Sequence, residues 1–230
     1  MHKIQNNLKI NYEDDALLII EKPIGILSHP DAKLKENDIL STLKTFRKDA
    51  SLYAVINRLD FNTSGLVIIG KNNQSIIELN RLSSVKKIQK TYLCVVSGYF
   101  FVPEATLEGY LLKDSTQSIV RISSSKIANS QLISTRYKVI KEKSNMSILE
   151  VELLTGKTHQ IRAHLAAVNH PIIGDPLYGI PSLNKKIGIK TQALCAYQLL
   201  FHDIETHSPL FYLNNRIFQT NDIPFLYLFQ

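Results

Sequence analysis

The chain lacks tryptophan altogether and has only two cysteines and two methionines among 230 residues. Cys94 and Cys195 sit in apolar, strand-like runs without any paired spacing, which excludes a disulfide framework and marks both as reduced core residues of a cytoplasmic chain. No apolar run approaches the length of a membrane span, so no membrane contact is expected. The opening Met1-His2-Lys3-Ile4-Gln5-Asn6-Asn7 is not a secretory leader. Nine glycines and eight prolines build no linker, repeat or low-complexity tract. What is present is ordinary globular composition, 44% hydrophobic and 20% charged. Twenty-seven Lys and Arg against twenty Asp and Glu leave a net charge of +7, which suits a polyanionic partner such as a nucleic acid.

Periodicity places elements along the chain. Residues 8–20 read as two short strands around Glu13-Asp14-Asp15, residues 39–46 as a short helix and 74–85 as a longer one. Residues 91–99, 134–140, 146–154 and 191–201 read as strands, with Lys141-Glu142-Lys143-Ser144-Asn145 as a hairpin loop. The Ser- and Lys-rich stretch 113–131 reads as an exposed hairpin or long loop. Thr158 should open a helix with Ile161, Leu165 and Val168 on one face, capped by Thr158 or Thr155 and ended by Pro171. Strands dominate and helices interrupt them irregularly, which predicts an α+β fold around a mostly antiparallel sheet, with residues 1–230 as one domain.

The densest signal is Asn57-Arg58-Leu59-Asp60-Phe61-Asn62-Thr63-Ser64-Gly65-Leu66. Its turn-forming residues lie between two apolar runs, Tyr53-Ala54-Val55-Ile56 and Leu66-Val67-Ile68-Ile69. A carboxylate on a turn held by two rigid strands is well placed to act as a nucleophile, and Arg58 would favour its charged form. Taken alone, such an aspartate more often caps backbone N–H groups.

The segment resembles the H-R-L-D-x-x-T-S-G-L signature of RluA-type pseudouridine synthases, with Asn57 in place of the usual histidine. Lys22-Pro23-Ile24-Gly25 looks like the family's first motif, and Lys90-Thr91-Tyr92-Leu93 like its K-x-Y element. Thr155-Gly156-Lys157-Thr158-His159-Gln160-Ile161-Arg162-Ala163-His164-Leu165 is similar to its T-G-[RK]-T-H-Q-I-R-x-H-L block, continued by His170-Pro171-Ile172-Ile173-Gly174-Asp175 and Leu177-Tyr178-Gly179. Glu21 and Cys195 depart from the pattern, which more often has Asn or Asp and histidine there.

The resemblance implies the pseudouridine synthase fold, a mixed sheet with an active-site cleft across its middle, and no room for an N-terminal S4 domain. It implies an RNA-modifying isomerase in which Asp60 is the nucleophile, Arg162 pairs with it and Tyr92 lies against the uracil. Arg58 would fill the space left by a flipped uridine, and Thr63, Lys90, His159 and Gln160 would contact substrate. The isomerisation requires no redox cofactor or energy source, so no cofactor is expected. His159 and His164 are five apart, not four, and no cysteine or carboxylate completes a ligand set, which speaks against a metal. The lysine clusters 86, 87, 90 and 185, 186, 190, together with stretch 113–131, would grip phosphates. The expected partner is a structured stem-loop of rRNA or tRNA, met by a monomer. Two competing readings are a non-catalytic RNA-binding scaffold and a two-carboxylate glycoside hydrolase with Asp175 as second acid.

Overall fold

The apolar runs 17–20 and 66–69 lie in adjacent antiparallel strands, Leu17–Lys22 and Ser64–Gly70, in which every residue is buried. Continuous burial is what a run without alternation predicts for a strand covered on both faces. They belong to a computed structural model that describes residues 8–29, 37–114 and 119–230. In chain order the strands are β1 (Lys9–Glu13), β2 (Leu17–Lys22), β3 (Ala54–Val55), β4 (Ser64–Gly70), β5 (Ile88–Ser97) and β6 (Glu104–Asp114). They continue as β7 (Ile119–Ser123), β8 (Gln131–Lys143), β9 (Met146–Leu153), β10 (Leu194–Phe201) and β11 (Ile217–Gln219). The helices are α1 (Ile39–Lys44), α2 (Asn73–Ser84), α3 (Gln160–Ala167) and α4 (Pro181–Ile187). The described residues fall into two compact units, one from Met1–Lys90 with Ala196–Ile223, the other from Thr91–Cys195 with Pro224–Gln230.

In the first unit the strand order is β1-β2-β4-β10, with β3 on β4 and β11 on β10. Asp14 makes the first turn by accepting from the amides of Ala16 and Leu17, which is how the acidic cluster between the two strands reverses the chain. The helix α2 starts on a reciprocal cap between Asn72 and Ser75 and buries Leu79 and Leu82. These leucines join Leu17, Ile19, Leu66, Ile68, Leu199 and Phe201 in one core. Because 17, 19, 66 and 68 alternate along β2 and β4, one face of the sheet carries that core.

In the second unit the order is β5-β9-β8-β6-β7, and each pairing is antiparallel. Stretch 113–131 is largely the β6–β7 hairpin and the segment leading to β8; its residues 115–118 lie outside the described residues. The five-residue loop expected at 141–145 is tighter: Lys143 pairs with Met146, and only Ser144 and Asn145 turn, both at positive φ. That is the two-residue turn whose twist matches an antiparallel pair, with Asn suited to the left-handed region.

The helix α3 differs from expectation at both ends. It begins at Gln160, with His159 at its N-cap in the left-handed region (φ 55°) and no side-chain cap bond. Thr155 is engaged elsewhere, accepting from the Ser134 amide and donating to Gln160 Oε1, so it does not cap. The helix ends at Ala167, and Asn169 at φ 64° turns the chain before Pro171.

Gly65, like Gly174, is a motif glycine at positive φ where a Cβ would run into neighbouring backbone. The Gly65 φ is +117°, and a Cβ there would lie 2.2 Å from the Ala196 carbonyl oxygen on β10. Gly65→Ala should therefore cost on the order of 2 kcal/mol or more, through strain and displacement of a neighbouring strand. A urea unfolding midpoint equal to that of the wild type would contradict this.

Candidate active site

Arg58, Asp60 and Thr63 share one turn of the first unit, between β3 and β4, and the turn is tied down along its backbone. Asn57 opens it, buried, with its side chain on the Ile68 amide and the Leu66 carbonyl. Ser28 Oγ donates to the Leu59 carbonyl at 2.8 Å and accepts from the Leu59 amide at 2.9 Å. The Asp60 carbonyl accepts from the Thr63 amide, and the Phe61 carbonyl accepts from the Gly25 amide, each at 3.0 Å. Arg58 is exposed at the surface of this turn, Asp60 is half-buried and Thr63 is buried.

Beneath the turn lies a residue that strand periodicity did not single out. Lys22, at the end of β2, is 1% exposed, and its Nζ donates to the carbonyls of Pro23 (2.9 Å), Ile26 (2.8 Å) and Phe61 (3.2 Å). All three protons of the ammonium thus find acceptors, which is what makes a buried lysine tolerable. Burial pushes its pKa down to about 7, while the negative charge of Asp60 pushes it back up. The Lys22-Pro23 motif was the available signal; a lysine closing an apolar strand is otherwise read as its solvent end.

Lys90 lies in the same unit, on β5. Its Nζ donates to Ser83 Oγ at 3.0 Å, and burial lowers its pKa. Lys87 donates to Glu205, leaving Lys86 as the exposed member of that cluster.

In the second unit, Arg162 is 4% exposed and grips the fully buried Asp175 with two parallel bonds, Nε to Oδ2 at 2.7 Å and an Nη to Oδ1 at 2.9 Å. Asp175 Oδ1 also accepts from the amides of Leu177 and Tyr178. Burial raises the Asp175 pKa, but the Arg162 bonds and charge and these amides outweigh it and hold the carboxyl below the usual range. The guanidinium lies over the Tyr178 ring, 5.2 Å from its centre. Tyr178 in turn accepts from the Val120 amide and hydrogen-bonds His159 Nδ1 at 3.0 Å. Arg162 and His159 are thus brought together around Tyr178, a partner the motif contained but spacing alone did not reveal.

Gln160 is buried beside them. Its Nε2 donates to the Ser134 carbonyl and Thr135 Oγ1, and its Oε1 accepts from the Lys157 amide and Thr155. Tyr92 is 6% exposed on β5, paired with Val151. The three histidines go to separate partners: His159 to Tyr178, His164 to Thr135 and His170 to the Ser97 carbonyl. Among the described residues no group of His, Cys, Asp and Glu is clustered to hold a metal, and no helix is long and apolar enough to cross a membrane.

Solved structures share the architecture. The human RNA pseudouridylate synthase domain containing 4 matches with a TM-score of 0.74 at 19% identity, covering 96% of this chain and 90% of that one. The human RNA pseudouridylate synthase domain containing 1 matches with a TM-score of 0.71 at 24% identity, covering 85% and 78%. The fold is therefore that of the pseudouridylate synthases. The family model described as RNA pseudouridylate synthase matches residues 16–167, and the chain belongs to that family. An uncharacterized RNA pseudouridine synthase of Mycoplasma pneumoniae is 32% identical over 88% of this chain and 65% of its own length. One of Mycoplasma genitalium is 30% identical over 77% and 57%, and the ribosomal large subunit pseudouridine synthase C of Vibrio cholerae 30% over 87% and 65%. In each case this chain spans less than two thirds of the relative's length.

The Lys22 ammonium generates a pH prediction. Its folded pKa lies below the unfolded value of about 10.4, so between the two the unfolded chain binds more protons and stability rises with pH. Below about 7 both states are protonated and the cost of burying the charge is felt in full. Relative to Lys22→Met, the wild type should gain on the order of 2 kcal/mol from pH 7 to 10 in denaturant titrations. A difference that does not change with pH would contradict it.

Proposed function

We propose that this chain is an RNA pseudouridine synthase that isomerises uridine in a structured stem-loop of rRNA or tRNA, residues 1–230 acting as one catalytic domain. The observation that carries this reading is the aspartate of the family motif, Asp60, on a turn tied at Asn57, Leu59, Asp60 and Phe61. A nucleophile is useful when its approach is fixed before substrate arrives, and such a turn supplies that fixity.

In the reaction the C1′–N1 bond breaks, the uracil turns, C1′ joins C5, and the C5 proton is exchanged for one on N1. Asp60 acts as the nucleophile. Arg162, by the family resemblance, pairs with it, keeping it ionised and oriented; its existing fork on Asp175 gives the guanidinium a fixed plane. The uridine must leave its stack, at a cost of a few kcal/mol, and the exposed Arg58 takes the vacated place. Tyr92 lies against the base. Thr63, Lys90, His159 and Gln160 complete the substrate side, Gln160 by holding the start of α3. Exposed lysines 86, 185, 186 and 190 meet phosphates. No cofactor or metal is assigned, and the setting is the cytoplasm, with the chain acting as a monomer.

The hydrolase alternative is disfavoured by Asp175. A general acid needs a raised pKa, whereas this carboxyl is fully buried, doubly bonded to Arg162 and held low.

Asp60→Asn should reduce pseudouridine formation by at least 10³-fold while RNA affinity stays within about threefold, since an amide keeps the shape and loses the nucleophile. Turnover near the wild-type rate in the purified variant would remove Asp60 from this role. Arg162→Lys should restore only a small part of the activity lost in Arg162→Ala, because an ammonium cannot reproduce the fork. Full rescue by lysine, measured as kcat on a stem-loop RNA, would contradict the proposed geometry.

A further inference from the structure

The β3–β4 ladder stops in an unusual way. Ala54 pairs with Gly70 and Val55 with Ile69, and the Ile56 amide still donates to the Ile68 carbonyl. Continued in that register, the ladder would give the Ile68 amide to the Ile56 carbonyl and the Leu66 carbonyl to the Arg58 amide. The side chain of Asn57 occupies both places. Its Oδ1 accepts from the Ile68 amide at 2.8 Å, and its Nδ2 donates to the Leu66 carbonyl at 3.1 Å. The residue is 6% exposed, so both bonds are made away from water.

We propose that Asn57 is a positioning residue for Asp60: its amide stands in for the backbone at the end of the ladder, seals the edge of β4, and releases the chain from Arg58 onward at a fixed height. The inference rests on the proposed role of Asp60. A primary amide offers an acceptor and a donor that do not titrate near neutral pH. An imidazole offers both only while neutral, and its protonated form could no longer accept from Ile68. The asparagine at the position where the family signature has histidine therefore makes the presentation of Asp60 insensitive to pH.

The test is Asn57→Asp, an isosteric change. The introduced carboxylate can accept from the Ile68 amide but confronts the Leu66 carbonyl without a proton; the protonated acid restores both bonds. Burial and that carbonyl should raise its pKa well above the ordinary value of about 3.9. Among the described residues, charged groups on the adjoining elements include Asp60, Arg58, Lys22 and Glu21, which pairs with Leu66 across β2 and β4, and all are common to both proteins. The ratio of variant to wild-type kcat on a stem-loop RNA should therefore rise at least tenfold from pH 8 to pH 5, with KM unchanged. Carbon-13 titration of the introduced carboxyl provides a readout independent of activity. An ordinary carboxyl pKa would overturn the geometry. A raised pKa with a pH-independent kcat ratio would make Asn57 merely structural and overturn the positioning role. A wild type that forms no pseudouridine would instead refute the function, leaving the carboxyl titration to judge the ladder mimic.

Discussion

The ammonium of Lys22 is the contact on which the turn bearing Asp60 depends. One buried charge joins the end of a central strand, the loop at Pro23 and Ile26, and the turn at Phe61 through three carbonyl oxygens. A lysine left without such partners would be too costly to bury, so the surrounding carbonyls have to converge on it. Their convergence draws two loops, distant in sequence, together beside Asp60. The Gly25 amide on the Phe61 carbonyl and Ser28 on Leu59 then repeat the same join with neutral groups. Rigidity of the turn arises from several bonds that constrain one another and not from the turn sequence by itself.

The second unit solves a similar problem with a matched pair of charges. Arg162 and Asp175 are both buried, and each would be destabilising alone. Their fork, the amides of Leu177 and Tyr178, and the ring of Tyr178 account for the pair's tolerance of burial. Tyr178 carries the connection on to the β6–β7 hairpin through the Val120 amide, so a loop rich in Ser and Lys is anchored to the element bearing Arg162. Carbonyls gather around the Lys22 ammonium, and amides around the carboxylate that pairs with Arg162.

Much of this was legible in the chain. The continuous apolar runs at β2 and β4, the acidic turn at Asp14 and the helix opened by Asn72 all express local rules that tertiary packing does not override. The family motifs single out Asp60, Tyr92 and Arg162 as candidates. What periodicity missed depends on partners far along the chain. Arg162 by itself looks like a surface arginine on an amphipathic helix, whereas the structure pairs it with Asp175, thirteen residues later. Thr155 looks like a helix cap, yet Ser134 and Gln160 claim its hydroxyl. The two-residue turn at Ser144-Asn145 was hidden because flanking lysines and glutamate read as loop, although as strand residues they simply face solvent.

The central claim is that the anchored aspartate serves an isomerisation in which the base is detached and rejoined to the same sugar. Nucleoside analysis of a stem-loop RNA incubated with the purified wild-type chain tests it most directly. The account predicts pseudouridine in place of uridine, with no free uracil released. Free uracil would mean that the glycosidic bond is hydrolysed, and unmodified RNA recovered from a bound complex would mean that the chain binds without chemistry; either result would contradict the account.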